Sequence, residues 1–285
     1  MRTYLECIPC FFKQGLLAAR IAGLAPDEQK KVLIEIARTL PDIPMEASPP
    51  EIALHVYKAI RKSSGVQDPF KRIKDKYISL ALGLYPELKK IVDNSEDPLL
   101  SAIRVAIAGN IIDFGVGSEF DVEETLKETM VAQFAILDYE LFKQALVKAK
   151  TILYIGDNAG ETVFDRVLIE QMEGDVIFAV REEPVINDAL IEDAKRSGIG
   201  EVARIISSGS DAPGTILTRC NREFLTLFQN ADLVIAKGQG NYETLSEVSR
   251  EIYFLIKAKC PVIARDIGVK EQSIVLMRLK HGDNP

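Results

Sequence analysis

The chain has 285 residues, 47% hydrophobic and 27% charged, enough apolar material for a sizeable core and too much for wholesale disorder. A formal net charge of -7 and a pI of about 5.2 leave no electrostatic footprint for nucleic acid and argue against an anionic membrane surface. No apolar run approaches the roughly 20 residues of a membrane span, and the start, MRTYLECIPCFFKQG, lacks the apolar stretch and cleavage site of a signal peptide.

From residue 1 to 150 the pattern is helical. Residues 11–24 carry apolar side chains at helical spacing. Pro26 and Asp27 open a second helix with Val32, Leu33, Ile36 and Leu40 inward, and Pro49 and Pro50 a third with Ile52, Val56 and Ile60 on one face. Proline suits a first helical turn, where its missing N–H has no partner to lose. Further helices are expected around 73–84, 99–112 and 122–149. This half reads as an all-helical N-terminal domain or cap.

From residue 151 to 285 short β-rich runs alternate with helical stretches. The runs are 151–155, 176–180, 203–206, 233–236, 261–264 and 273–279. Near-continuous apolar strands between helices predict a mostly parallel sheet covered on both faces, a Rossmann-like α/β/α sandwich. Ligands in such folds bind beyond the carboxyl ends of the strands. The polar residues that follow the strands are therefore the ones to inspect.

Three strand ends carry chemistry. The first continues into Gly156-Asp157-Asn158-Ala159-Gly160-Glu161, the second leads to Asn187-Asp188, and the fourth gives Lys237-Gly238-Gln239-Gly240-Asn241. Asp157, Asn158 and Asp188 offer hard oxygen donors suited to a divalent cation. Lys237 offers a positive charge for a phosphoryl oxygen, and Gly238 lets backbone N–H groups approach an anion. Each feature has a plainer reading: a helix cap for Asp157 and Asn158, a surface carboxylate for Asp188, an ordinary loop for Lys237 to Asn241. Their coincidence at one sheet edge favours a site.

Secondary candidates surround this edge. Glu161 lies one helical turn beyond Asp157 and either faces the site or is a solvated first-turn acid. Arg181, after the second strand, is a substrate clamp or half of a surface ion pair. Asn110 and Asp113 share a helix face in an apolar stretch, reaching the site or forming a buried network. Asp211 sits in SSGSDAPGT, a second ligand-proximal loop or simple turn chemistry.

The four cysteines, Cys7, Cys10, Cys220 and Cys260, make no disulfide framework, and a reducing, cytoplasmic location is expected. Cys7 and Cys10 form a lone CxxC pair. A structural zinc site wants four ligands, a redox pair wants a preceding strand, and two buried thiols at a helix start is the plainest reading.

GDNAGE, PVINDA and KGQGNYE resemble the signature segments of the DUF89/ARMT1-like family. CIPC, DPF (68–70), AGNIIDFG (108–115) and DLVIAKGQGN (232–241) fit the same pattern, and CxxC resembles the family's microbial branch. The resemblance covers nearly the whole chain. It implies a helical region joined to an α/β/α metal-binding domain, and metal-dependent hydrolysis of a small phosphorylated metabolite, such as a sugar phosphate or a damaged phosphometabolite. It implies Mn²⁺, Co²⁺, Ni²⁺ or Mg²⁺ held by Asp157, Asn158 and Asp188, with Lys237 on the phosphate. Asp157 and Lys237 are then the catalytic candidates, and Glu161, Arg181, Asn110, Asp211, Gly238 and Asn241 the candidate substrate contacts. The competing readings are an S-adenosylmethionine-dependent carboxyl methyltransferase, against which stands the absence of a G-x-G-x-x-G turn, and a non-catalytic metal- or metabolite-binding protein. The residues say nothing of oligomeric state.

Overall fold

The computed structural model describes residues 1–111 and 122–280. The helices opened by prolines form as the sequence predicts. After α1 (Cys7–Ile21) come α2 (Pro26–Thr39) and α3 (Pro49–Ser64), both with Pro in the first turn. The Ser48 backbone N–H donates to Glu51 Oε2 at 2.7 Å, the return arm of a capping box on α3. These three helices pack on one another around Phe11, Val32, Ile36, Val56 and Ile60.

The next helices, α4 (Lys71–Asp93) and α5 (Pro98–Ile111), share an apolar core with the sheet instead. Buried Lys74 anchors α4 by pairing with Asp68 at 2.7 Å and Asp193 at 2.9 Å. The stretch 122–149 is not one helical region. It divides into α6 (Val122–Val131), strand β1 (Phe134–Leu137) and α7 (Tyr139–Lys148).

The remainder alternates: β2 (Thr151–Ile155), α8 (Thr162–Ile169), β3 (Asp175–Val180), α9 (Ile191–Arg196), β4 (Arg204–Ser207), α10 (Arg222–Asn230), β5 (Leu233–Lys237), α11 (Gly238–Leu245), β6 (Ile252–Lys257), α12 (Pro261–Ile267) and β7 (Ile274–Leu279). Two expectations change here. Residues 261–264 are helix, because Pro261 stands at a first turn and Cys260 Sγ accepts from the Ile263 N–H. The strand lies earlier, in the apolar run Ile252–Lys257.

The seven strands form one sheet in the order β1-β7-β6-β5-β2-β3-β4. Every pairing is parallel except β6 with β7. Successive side chains alternate between faces. Ile152, Tyr154, Phe178 and Ile235 enter the core beneath α4, α5 and α8. Leu153, Ile155, Ile177 and Val234 enter the opposite core with Phe224, Tyr242 and Ile263 of α10, α11 and α12. The result is the expected mostly parallel α/β/α sandwich. No helix among the described residues is long and apolar enough to cross a membrane.

The chain leaves β2 for β3 on one side and returns to β5 on the other. The C-terminal ends of β2 and β5 thus flank a topological switch point, where doubly wound sheets leave a crevice.

Candidate active site at the switch point

Backbone geometry brings the three strand ends together. A Cβ on Gly156 would stand 2.6 Å from the Phe178 ring, so the chain leaves β2 at a position only glycine fits. Residues beyond β3 then fold back on the segment after β2. Ala159 N–H donates to Asn187 O and Ala189 N–H to Asp157 O, each at 2.8 Å, making an antiparallel bridge between Asn158 and Asp188. Gly238, at φ 76°, brings the start of α11 against Asp157.

Arg181, Asn241 and Thr215 brace Asp188. Arg181 donates from Nε to Asp188 Oδ2 at 2.8 Å, and its other nitrogens donate to Thr215 Oγ1 at 2.9 Å and Asn241 Oδ1 at 3.0 Å. Asn241 also accepts from Thr215 Oγ1 at 2.8 Å and donates to the carbonyls of Gly156 and Lys237. All are buried. Arg181 and Asn241, expected at the substrate, here bond to one another, to Asp188, to Thr215 and to the backbone.

Beneath Asp157 lies a second buried network. Lys237 Nζ donates to Ala106 O at 2.9 Å and pairs with Glu161 Oε1 and Asp165 Oδ1, each at 2.5 Å. An ammonium has three protons, and all three are used. The structure thus turns the Lys237 amine inward to Ala106, Glu161 and Asp165, where the sequence reading put it on a phosphoryl oxygen. Tyr154 OH donates to Asp165 at 2.7 Å. Burial pushes Asp165 up to about 7, with the Lys237 ammonium pulling back. For Lys237, burial acts downward, but Asp165 and Glu161 outweigh it and hold the amine above its ordinary value.

Two amides join this network to Asp157. Asn110 Nδ2 donates to Asp157 Oδ2 and Glu161 Oε2, each at 3.0 Å, and Asn158 Nδ2 donates to the same oxygens at 3.0 and 3.1 Å. Asn110 of α5 thus contacts Asp157 and Glu161 within a buried hydrogen-bond network, and Glu161 faces inward. Asp211 does not join the cluster and instead pairs with Arg219 beside the loop. Asp113 lies outside the described residues. The sequence reading missed Asp165, four residues after Glu161 on one helix face, although that spacing was visible.

The donor set suits a cation. When ionised, Asp157, Glu161, Asp165 and Asp188 carry four negative charges, against one each on Arg181 and Lys237. Above about pH 7, where Asp165 ionises, the surplus of two equals the charge of a divalent ion. Buried charge of one sign is costly unless compensated. Asn110 Oδ1 is also buried and has no hydrogen-bond partner among the described residues. Among those residues no three His, Cys, Asp or Glu side chains gather as a metal site, and the Asp157, Asn158 and Asp188 set, two carboxylates and an amide, falls below that number.

Comparison with known proteins agrees with this architecture. The family model described as the damage-control phosphatase ARMT1-like domain matches residues 3–275. The chain is 36% identical to the damage-control phosphatase of Pyrococcus horikoshii, over 98% of this chain and 99% of that one. It is 34% identical to the damage-control phosphatase of Archaeoglobus fulgidus, over 87% of each. The crystal structure of a DUF89 family protein from Pyrococcus horikoshii superposes with a TM-score of 0.90 at 36% identity, covering 98% of this chain and 100% of that one. From its sheet topology and site to its sequence, the chain belongs to the damage-control phosphatase ARMT1-like (DUF89) family.

Proposed function

We propose that the protein is a metal-dependent phosphomonoesterase acting on a small phosphorylated metabolite, a sugar phosphate or a damaged phosphometabolite. The observation that carries this reading is the convergence of Asp157, Asn158 and Asp188 at the switch point, where four carboxylates, these two aspartates included, carry two more charges when ionised than Arg181 and Lys237 offset. These three residues would hold Mn²⁺, Co²⁺, Ni²⁺ or Mg²⁺. Such an ion, when bound, supplies charge neutralisation for phosphoryl oxygens and a site for an activated water.

The chain's own residues do the positioning. Arg181 fixes the Asp188 carboxylate by a charge-assisted bond. Asn110 and Asn158 fix Asp157. Lys237 holds Glu161 in the layer below and keeps that layer from repelling Asp157 outright. We assign Asp157 to the reacting phosphoryl group, either as nucleophile or as the base that orients water. Both routes need it ionised.

The test is phosphate release from a panel of sugar phosphates and other phosphometabolites, with each divalent ion in turn. We expect metal-stimulated turnover that Asp157→Ala abolishes. Full turnover in Asp157→Ala would end this reading. Labelled S-adenosylmethionine in the same panel would reveal methyl transfer instead.

A further inference from the structure

Ile186 departs from ordinary backbone geometry beside the candidate site. Its φ is 44°, and among the described residues other than glycine only Gln272 also has a positive φ. A left-handed backbone crowds the Cβ against the following carbonyl, and a branched Cβ worsens the clash. Such strain persists only where the surroundings over-determine it.

Those surroundings belong to the helical half. Val185 is buried in the core of α1, α2 and α3, and Ile186 packs against that core rather than against either core of the sheet. Both line a small cavity with Tyr57 and Ile60 of α3 and with Phe70. Arg61 of α3 donates to Pro184 O at 3.3 Å. At the far end of the turn, Asp193 Oδ2 accepts from the Leu190 N–H at 3.0 Å, and Lys74 of α4 pairs with Asp193. The turn 184–190 is thus tied to α3 at one end and to α4 at the other.

Asp188 follows two residues after Ile186. Its N–H donates to Val185 O at 3.1 Å, closing the turn over Ile186. On either side of Asp188, Asn187 O and the Ala189 N–H bond to the segment that carries Asp157 and Asn158. The path of the chain through position 186 therefore decides where Asp188 lies.

We propose that Ile186 is a positioning residue: the core of α1–α3 holds its side chain, keeps its backbone left-handed, and so sets Asp188 against Asp157 and Asn158. Where a turn needs only a positive φ, glycine or asparagine supplies it without this strain. Isoleucine adds a side chain for the helical layer to hold. Arg181 fixes the Asp188 carboxylate, and Ile186 fixes the backbone that carries it. The value of this placement to the reaction rests on the phosphatase reading, whereas the placement of the turn does not.

The test is Ile186→Gly in the full chain. Glycine takes the same φ without strain but gives the helices nothing to hold. Hydrogen exchange reads the bridge directly, through the Ala159 and Ala189 amides. We expect both amides to exchange at least about 10-fold faster in Ile186→Gly, while amides in β2 and β5 keep their wild-type protection. Ile186→Val keeps the branch and should hold protection within about 2-fold of wild type. Arg61→Met removes the tie to Pro184 and should speed the same two amides about 3-fold. With a substrate from the phosphate-release panel, kcat should fall about 10–100-fold in Ile186→Gly, more than KM changes, and stay near wild type in Ile186→Val. Unchanged protection of Ala159 and Ala189 in Ile186→Gly, or in Arg61→Met should the glycine variant not fold, would overturn the proposal. Equal loosening of β2 and β5 would overturn it as well, since that marks a merely structural residue. So would lost protection with unchanged kcat in an active enzyme. A wild type that releases no phosphate would sink the phosphatase reading alone, and the exchange rates would still decide whether Ile186 sets the turn.

Discussion

Gly238 stands so close to Asp157 that any Cβ at position 238 would collide with the Asp157 carboxylate. Its φ of 76° also lies in the left-handed region, which costs an L-residue roughly 1–2 kcal/mol. Gly238→Ala should therefore displace Asp157 while sparing the core. We expect kcat/KM to fall about 100-fold, the scale of a 1 Å misplacement, with a stability loss of only about 1–2 kcal/mol. Steady-state kinetics beside a denaturant titration would check the pair of values.

Lys237 separates two roles that substitution can tell apart. If it serves as a buried counter-ion, Lys237→Met strands Glu161 and Asp165 without a cation. Breaking such a pair costs about 3–5 kcal/mol. A lysine on substrate phosphate would instead raise KM and leave stability alone. We expect the first result, and we expect Lys237→Met combined with Asp165→Leu to recover part of the lost stability.

Asp165 gives a pH signature. Its folded value is about 7, against the usual 3.8. Between those values the folded state binds more protons than the unfolded chain, so this group's stabilising contribution is present at low pH and lost as pH rises towards 7. Lys237 acts in the same direction at higher pH: its folded value is raised, so its contribution is lost as pH climbs through that value. Comparing wild type with Asp165→Asn by denaturant titration from pH 4 to pH 8 isolates the carboxyl. The wild type's stability relative to the variant should decline across that window. A rising difference would reverse the assignment.

Much of this site was legible before the fold. GDNAGE, the Asp188 turn and the Lys237 segment each follow a strand, and topology forces such ends to one edge. Bringing Asp157, Asn158 and Asp188 to one edge needed only that logic. The direction of each charged side chain did not follow, because long side chains reach partners far apart in sequence. Lys237 Nζ turns inward to residues 72 and 76 positions away. Arg181 turns towards residues 34 and 60 positions away as well as towards Asp188. The errors in strands have another cause. The run at 261–264 is too short for periodicity to separate helix from strand, and Pro261 was the deciding signal. Phe134–Leu137 is a four-residue edge strand whose alternation is weak, so its pairing with β7 supplies what its sequence does not announce.

Metal removal offers the most direct reading of the charge surplus at the switch point. A ligand that binds only the folded protein stabilises it by about 2.7 kcal/mol at 100 times its Kd. For a chain of this length that is roughly 5 °C in thermal midpoint. Mn²⁺ should raise the midpoint of chelator-treated protein by about that amount, and Asp188→Ala should abolish most of the rise. Arg181→Met tests the support behind the ligand. Arg181 touches Asp188 through Nε and reaches neither Asp157 nor Asn158 by any of its other bonds described above. Losing such an outer partner typically weakens metal affinity about 10–100-fold. Calorimetric titration of Mn²⁺ should show that loss. If Arg181 bound substrate instead, metal affinity would hold and KM alone would rise, so the two titrations decide which side of Asp188 the guanidinium serves.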